Sequence, residues 1–431
     1  MNRKTGRNRT VLNASDFYDL CSGRKRGMGP SLARFGLRLI ETPYAVSMRL
    51  RNWRFDQRPN LSVEVSRPVI SVGNLTLGGT GKTPVVKWLA RRLRAEELRV
   101  AILSRGYGAE ASGVNDEALE LELALPDVPH LQDRDRVKIA NIAIDELDMQ
   151  VLLLDDGFQH RRLRRDFDLV LLDATEPFGF GHVFPRGALR EPLSGLKRAN
   201  AVCLTRSDAI PSTRREEIRR IVERFAPQAL WSEARHAPQQ LVNSSGEAAQ
   251  LSQLSGRKVL ACCGIGNPAA FRASLTSAGA LLVGQCEFPD HHGYTLDDIE
   301  LIVREAYRTN PDFIVTTCKD LVKLGEDQLG KFPVWALAIE VAFLSGETEL
   351  MSAIRVACRD KLGRELARRN DNRVVERFIF QHAERRDLGQ LLGIVRGAFA
   401  AQHNLLSRAG NLQPADAFAE PRLDSLPNLR D

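Results

Sequence analysis

One stretch decides the fold class of this chain: Val69-Ile-Ser-Val-Gly-Asn-Leu-Thr-Leu-Gly-Gly-Thr-Gly-Lys-Thr-Pro84. An apolar run typical of a buried strand leads into a glycine-rich turn, and a helical pattern follows the turn. Glycines let consecutive backbone N–H groups face one concavity, which can hold phosphate oxygens. The stretch therefore predicts a P-loop, although Thr76 stands where the usual GxxxxGK[ST] pattern has its first glycine. The predicted phosphate-binding residues are Gly78, Gly79, Thr80, Gly81, Lys82 and Thr83.

A second apolar run, Val151-Leu-Leu-Leu-Asp155-Asp156, predicts a metal anchor beside the P-loop. P-loop enzymes hold Mg²⁺ with the hydroxyl that follows the loop lysine, here Thr83, and with an acid at the end of a neighbouring strand. Asp155 and Asp156 both suit that position, and the sequence leaves open which of them is the direct ligand. The alternative is that the two acids only cap the next turn. We predict catalytic roles for Lys82 and Asp156.

Short β-branched runs alternate with helical patterns from about residue 67, which is typical of a parallel sheet covered by helices. The predicted fold is therefore α/β, with two Rossmann-like α/β/α domains, the first a P-loop domain, and an N-terminal amphipathic helix. The predicted strands are Val69–Val72, Val100–Leu103, Val151–Leu154, Asp168–Leu172, Ala201–Leu204, Val259–Cys263, Leu281–Gly284, Phe313–Thr317 and Val334–Ile339. Helices are predicted after Thr83, Arg136 and Ser212, near Pro268 and near Leu296.

The predicted domain boundary lies in the polar, irregular stretch from Ala226 to Ser255. We divide the chain into a basic N-terminal segment with an interface helix (1–60), a P-loop domain (61–228) and a second, smaller α/β domain (229–345). A helical extension with a disordered tail follows (346–431), and its role is not indicated by the sequence.

Positive charge is concentrated at the N-terminus. The net charge of the chain is +7, whereas residues 1–60 contain thirteen basic and four acidic side chains, a net charge of +9. Because no nucleic-acid-binding motif accompanies this charge, nucleic acid is not a predicted partner. The seven cysteines lie without CxxC pairs, and neither a signal peptide nor a run of about 18 apolar residues is present. The composition therefore predicts a cytoplasmic protein.

This chain lacks a key residue of two other classes of P-loop protein. A GTPase would need an Asn/Thr-Lys-x-Asp base reader, but Thr205-Arg-Ser-Asp208 has arginine in place of the lysine. A deviant-loop partitioning ATPase would carry a lysine where Leu77 stands. The remaining interpretation is transfer of a γ-phosphoryl group to an acceptor, with a P-loop switch or assembly NTPase kept as the alternative.

Seven motifs in the same order resemble the tetraacyldisaccharide 4'-kinase family of the lipid A pathway, over roughly residues 30–343. The motifs are Val72-Gly-Asn with Gly78-Gly-Thr-Gly-Lys-Thr-Pro, Leu103-Ser-Arg-Gly-Tyr-Gly, Asp133-Arg-Asp-Arg, Leu154-Asp-Asp-Gly-Phe-Gln-His-Arg-Arg-Leu, Leu189-Arg-Glu-Pro-Leu-Ser-Gly-Leu, Gly264-Ile-Gly-Asn-Pro and Phe288-Pro-Asp-His-His-Gly-Tyr. The resemblance implies a P-loop kinase domain with ATP and Mg²⁺ as donor. It also implies that the acceptor is the 4'-hydroxyl of a lipid-linked tetraacyldisaccharide 1-phosphate and that the product is lipid IVA.

The resemblance also assigns roles to residues of this chain. The family's aspartate–histidine pair maps onto Asp116 and His291, with Asp116 near the acceptor hydroxyl and His291 orienting it or relaying its proton. His292 is a rival for the histidine role. The residues expected to bind substrate are Asn74, Arg105, His160, Arg190 and Glu191.

An acceptor with four acyl chains lies in a bilayer, and the N-terminal segment suits that surface. Leu32, Phe35 and Leu39 form one helical stripe, whereas Arg34 and Arg38 lie on another face. A basic amphipathic helix can lie in the interface of an anionic membrane. We therefore expect a monomeric enzyme, peripheral on the cytoplasmic face of the inner membrane. The alternative is an amphipathic helix packed on its own domain.

Overall fold

The computed structural model describes residues 14–106, 116–289 and 292–369. Residues up to Cys358 belong to one compact unit, and Arg359 begins a second. The helices of the described residues are α1 (Ala14–Cys21), α2 (Met28–Gln57), α3 (Lys82–Arg94), α4 (Asp116–Ala124), α5 (Arg136–Asp145), α6 (Ser212–Phe225), α7 (Pro268–Ser277), α8 (Leu296–Thr309), α9 (Cys318–Leu324) and α10 (Glu347–Arg369). The strands are β1 (Val69–Asn74), β2 (Val100–Ser104), β3 (His130–Gln132), β4 (Val151–Asp155), β5 (Phe167–Asp173), β6 (Ala201–Thr205), β7 (Leu230–Val242), β8 (Ala248–Gln250), β9 (Lys258–Cys263), β10 (Leu281–Glu287), β11 (Phe313–Thr317), β12 (Gln328–Leu329) and β13 (Phe332–Ser345).

The strands form one continuous sheet in the order β10-β9-β11-β13-β7-β6-β5-β1-β4-β2-β3, with β8 beside β7 and β12 beside β13. Pairing along this order is parallel except between β13 and β7, which run antiparallel. Helices cover both faces. Ile70 and Val72 of β1 pack with α3 on one face, and Val69 packs with α5 on the other. The predicted α/β fold with a large parallel sheet is confirmed.

All nine strands predicted from apolar runs are present. Strands buried on both faces read as continuous apolar runs, because helices cover both sides of a parallel sheet. All six residues of β1, for example, are buried. The helices predicted after Thr83, Arg136 and Ser212, and near Pro268 and Leu296, are also present.

The stretch predicted to be irregular, Ala226–Ser255, instead contains the 13-residue strand β7. Its polar residues and Pro238 argue against a strand, but β7 lies between β6 and β13, so both neighbours supply hydrogen-bonding partners. The register against β13 shifts where Ile339 faces Pro238, and a bulge is where a strand tolerates proline. The prediction of an irregular segment is therefore wrong. The sheet runs through the proposed domain boundary, and the division into two domains stays a prediction.

Among the helices that the structure describes, none has the length and hydrophobicity of a bilayer-spanning segment. The C-terminal extension begins as predicted with a helix, α10. Residues 370–431, including the predicted tail, lie outside the described residues.

Candidate functional site

A cleft of about 2730 Å³ lies at the carboxyl ends of the parallel strands, which is where open α/β sheets bind ligands. Its walls include the segments that follow β1, β2, β4, β6, β9 and β11. The cleft therefore brings together motifs that are far apart in the sequence. Of the predicted site residues, those that line it are Gly78, Gly79, Thr80, Gly81, Lys82, Thr83, Arg105, Asp155, Asp156, His160 and Arg190.

The P-loop connects β1 to α3, as predicted. Gly78 and Gly81 have φ angles of 108° and 80°, which favour glycine. Gly81 precedes the first turn of α3, where Pro84 is tolerated because the first helical N–H groups have no partner within the helix. A helix N-terminus with free N–H groups and a glycine-rich approach suits phosphate oxygens.

Asn74, at the end of β1, forms hydrogen bonds with residues of the P-loop. Its side chain is fully buried, and Nδ2 donates to the Thr76 carbonyl and to Thr80 Oγ1, both at 2.9 Å. Asn74 does not line the cleft. A direct contact of Asn74 with substrate stays a prediction.

Lys82, Asp156 and Arg190 form an ion-pair cluster in the cleft. Arg190 Nη1 lies 2.7 Å from both carboxylate oxygens of Asp156, and Lys82 Nζ lies 3.5 Å from Oδ1. Burial opposes ionisation of Asp156, but the charges of Lys82 and Arg190 outweigh burial and lower its pKa. Asp156 is therefore ionised at neutral pH and holds both cations beside the P-loop.

Asp155 ends β4 and lies next to β1, where Val72 is its direct neighbour in the parallel pairing. This position brings a carboxylate to the P-loop, and the side chain lines the cleft. In the described part of the chain no cluster of three or more His, Cys, Asp or Glu residues forms a metal site. Mg²⁺ is commonly held by one or two carboxylates together with substrate phosphates. Asp155 and Asp156 are carboxylates that could serve in this way, and Thr83 offers a hydroxyl oxygen.

Glu191 is completely buried beneath the cleft wall rather than exposed in it. Its carboxylate accepts from Arg198 at 2.8 Å, from Asn52 of α2 at 2.6 Å and from Gln159 at 3.1 Å. Gln159 also donates to the carbonyl of Asn74 at 2.9 Å. Glu191 therefore joins α2 to the strand that leads into the P-loop, and a direct substrate contact stays a prediction.

Replacing Glu191 with Ala is expected to destabilise the protein by about 3–5 kcal/mol, because the buried Arg198 would lose its counter-charge. The effect is measured as a shift of the urea unfolding curve. Glu223→Ala on α6 is the matched control, since Glu223 pairs with Arg219 on the surface and should cost at most about 1 kcal/mol. Equal shifts for the two variants would contradict this account of Glu191.

His160 and Arg105 both line the cleft. Both follow strands of the P-loop half of the sheet, His160 after β4 and Arg105 after β2. Burial, followed by nearby arginines such as Arg136, lowers the pKa of His160 to about 4. The ring is therefore neutral at neutral pH. Its buried Nε2 has no hydrogen-bond partner among the described residues, and a contact of His160 with substrate stays a prediction.

The predicted aspartate–histidine pair is only partly described. Asp116 is the first residue of α4, and His291 lies outside the described residues. His292, the rival, stacks on Phe288 with ring centroids 4.9 Å apart, and its Nε2 lies 2.9 Å from Asp298 Oδ2. These contacts engage the His292 ring with its own segment, and the choice between His291 and His292 for the catalytic role stays a prediction.

Two cleft residues have no counterpart in the sequence-based prediction. The ring of His236, from β7, occupies the space that a Cβ on Gly81 would enter, and the φ of 80° at Gly81 also favours glycine there. Burial, with the charge of Arg206 next, lowers the pKa of His236 to about 4. Tyr18, from α1, contacts the other end of the P-loop. Neither residue carries a local sequence signal, because each reaches the loop through tertiary packing.

Comparison with known proteins gives a consistent picture. Residues 33–359 match a family model described as tetraacyldisaccharide-1-P 4'-kinase. The tetraacyldisaccharide 4'-kinase of Halothermothrix orenii is 35% identical over 373 residues, which cover 79% of this chain and 97% of that protein. The enzyme of the same name from Anaeromyxobacter sp. is 40% identical over 311 residues, which cover 68% and 82%.

Among solved structures, the chain is similar to LpxK from Aquifex aeolicus in complex with ATP. The TM-score is 0.63 at 31% sequence identity, and the match covers 76% of this chain and 99% of that one.

Proposed function

This chain belongs to the tetraacyldisaccharide-1-phosphate 4'-kinase family, and from that membership we propose how its cleft carries out phosphoryl transfer in lipid A biosynthesis. The donor is ATP and the acceptor is the 4'-hydroxyl of a tetraacyldisaccharide 1-phosphate. The observation that carries the proposal is the meeting of Lys82, Asp156 and Arg190 beside the P-loop. The cleft is wide enough to admit both a nucleotide and a sugar headgroup.

In the proposed reaction the N–H groups of the P-loop and Lys82 bind the β- and γ-phosphates. Asp116 takes the proton of the 4'-hydroxyl as the oxygen forms its bond to the γ-phosphorus, and the bond from that phosphorus to the β-phosphate oxygen breaks. ADP leaves, and the phosphate ester remains on the sugar. A sugar hydroxyl is a poor nucleophile, so a positioned base and neutralised phosphate charge supply much of the rate.

We propose that Mg²⁺ is held by Thr83 together with Asp155 or Asp156. The ion would neutralise phosphate charge and orient the triphosphate. Because Asp155 ends β4 directly beside β1 and lines the cleft, Asp155 is our choice for the direct ligand.

A transfer assay tests the proposal. Labelled ATP is incubated with the enzyme and the tetraacyldisaccharide 1-phosphate, with the 4'-deoxy acceptor as control. We expect label to appear in the lipid only when the 4'-hydroxyl is present. If the enzyme hydrolysed ATP or GTP at the same rate with and without the acceptor, and no labelled lipid formed, the result would support a P-loop switch instead.

We further propose that the enzyme is a monomer that docks on the cytoplasmic face of the inner membrane through α2. The apolar residues Leu32, Phe35, Leu39 and Trp53 of this helix are each at least 60% exposed. Several polar side chains on another side of the helix instead contact the protein. Glu41 accepts from the Val183 amide at 2.8 Å, and further contacts join Tyr44, Arg51 and Asn52 to the cleft wall.

An exposed apolar stripe with neighbouring cations suits an anionic bilayer. Changing Leu32, Phe35 and Leu39 together to Ser is expected to reduce sedimentation with vesicles of anionic phospholipid by about tenfold or more. The three apolar side chains become buried in the bilayer on binding, and their burial contributes several kcal/mol to the free energy of binding. The control changes Leu296, Leu301 and Tyr307 to Ser, since these residues of α8 are also exposed. Equal vesicle binding by both triple variants would argue against docking through α2.

A further inference from the structure

Tyr18 reaches the P-loop from α1, a helix that precedes residue 33, where the family match begins. Its hydroxyl donates to the carbonyl of Leu77 at 2.9 Å. The same hydroxyl oxygen lies 2.6 Å from the position that a Cβ on Gly78 would take. Tyr18 therefore contacts the loop at the peptide that joins Leu77 to Gly78.

The geometry of the peptide unit gives this hydrogen bond a consequence for phosphate binding. A trans peptide is planar, so the C=O of Leu77 and the N–H of Gly78 point in opposite directions. A donor that holds the carbonyl therefore also holds the direction of the N–H. P-loops bind phosphates through N–H groups that face one concavity, and their carbonyls must point away from the anion.

A donor from another part of the chain, Thr205, holds a P-loop carbonyl in the same manner. Thr205 Oγ1, at the end of β6, donates to the carbonyl of Thr80 at 2.9 Å, and that peptide carries the N–H of Gly81. Asn74 Nδ2 donates to the carbonyl of Thr76 at 2.9 Å, but the N–H of that peptide, on Leu77, donates to the carbonyl of Ala188 at 2.7 Å. Tyr18 and Thr205 thus each hold the carbonyl of a P-loop peptide from a distant part of the chain.

Helix α1 is anchored well enough to act in this way. The ring of Tyr18 meets Phe180 edge-on with centroids 5.6 Å apart, and Arg186 donates to the carbonyl of Cys21 at 3.1 Å. Burial, and next the nearby carboxylate of Asp173, raises the pKa of Tyr18. The hydroxyl therefore remains protonated at neutral pH and stays a donor.

We infer that Tyr18 is a positioning residue for the nucleotide: it holds the Leu77–Gly78 peptide so that the Gly78 N–H faces the triphosphate. The inference rests on the P-loop being the ATP site, as proposed above. It concerns the nucleotide alone, because Tyr18 acts on the loop and not on the acceptor.

Tyr18→Phe tests this inference, since it removes the donor and keeps the ring. Binding of a non-hydrolysable ATP analogue is measured without acceptor, and steady-state rates are measured with it. We expect the dissociation constant of the analogue and the KM for ATP to rise about three- to tenfold, as for the loss of one hydrogen bond. The kcat and the KM for the lipid acceptor should stay within about twofold. Tyr307→Phe, on the exposed surface of α8, should change none of these values.

Unchanged affinity of Tyr18→Phe for the analogue would overturn the inference. An equal rise in the KM of both substrates would also overturn it, because that result would indicate a general loss of structure. Thr205→Val offers a second measurement, and the same selective loss of nucleotide affinity is expected there. If the wild-type enzyme itself failed to bind the analogue, the proposed function would fail rather than the role of Tyr18.

Discussion

Replacing Lys82 with Met is expected to lower kcat for phosphoryl transfer by at least about 10²-fold, the usual cost of losing one charge-stabilising donor. Lys82 begins α3 and lies 3.5 Å from Asp156, so its ammonium group occupies the junction between the phosphate loop and the acidic strand end. Methionine keeps the length of the side chain and removes the charge. The rate is measured as labelled lipid formed at saturating ATP and acceptor.

Lys258→Met is the matched control for this variant. Lys258 is an exposed residue at the start of β9 and does not line the cleft, so its loss should leave kcat unchanged. Transfer by Lys82→Met within about fivefold of wild type would contradict the assignment of Lys82 to the γ-phosphoryl group.

Replacing Asp116 with Asn is expected to lower kcat by about 10²- to 10⁴-fold, as for the loss of a general base. An amide cannot accept the proton of the 4'-hydroxyl. The KM for ATP should change little, because the proposed role of Asp116 concerns the acceptor.

Asp127→Asn is the control, since Asp127 pairs with Arg94 on the surface beyond the end of α4. Separate His291→Ala and His292→Ala variants distinguish the two histidines. The contact of His292 with Asp298 leads us to expect the larger loss of kcat in His291→Ala. A wild-type rate in Asp116→Asn would refute its role as the base.

Local sequence signals were sufficient for the P-loop half of the sheet. A parallel strand covered by helices on both faces is apolar along its whole length, and a turn that cradles phosphate needs glycine at positive φ. Both signals lie within a few consecutive residues, so β1, the loop and α3 were predicted without reference to the rest of the chain. Asp155 and Asp156 were recognised for the same reason, because they directly follow an apolar strand.

Other features depend on partners that are remote in the sequence. Strand β7 carries polar residues and a proline, and only its pairing with β6 and β13 makes it a strand. Glu191 was predicted as a substrate ligand from its motif, yet its burial against Arg198 makes its main contacts structural. Tyr18 had no signal, because its hydrogen bond to Leu77 spans 59 residues.

Helix α2 combines one feature that follows from local sequence with one that depends on tertiary packing. The spacing of Leu32, Phe35 and Leu39 is enough to predict an amphipathic helix, because residues three and four positions apart lie on one side of any α-helix. Which side of the helix points outward depends on its packing against the rest of the protein. Glu41 and Asn52 form hydrogen bonds with the P-loop half, so the side of the helix that carries them turns inward and the apolar stripe is left exposed.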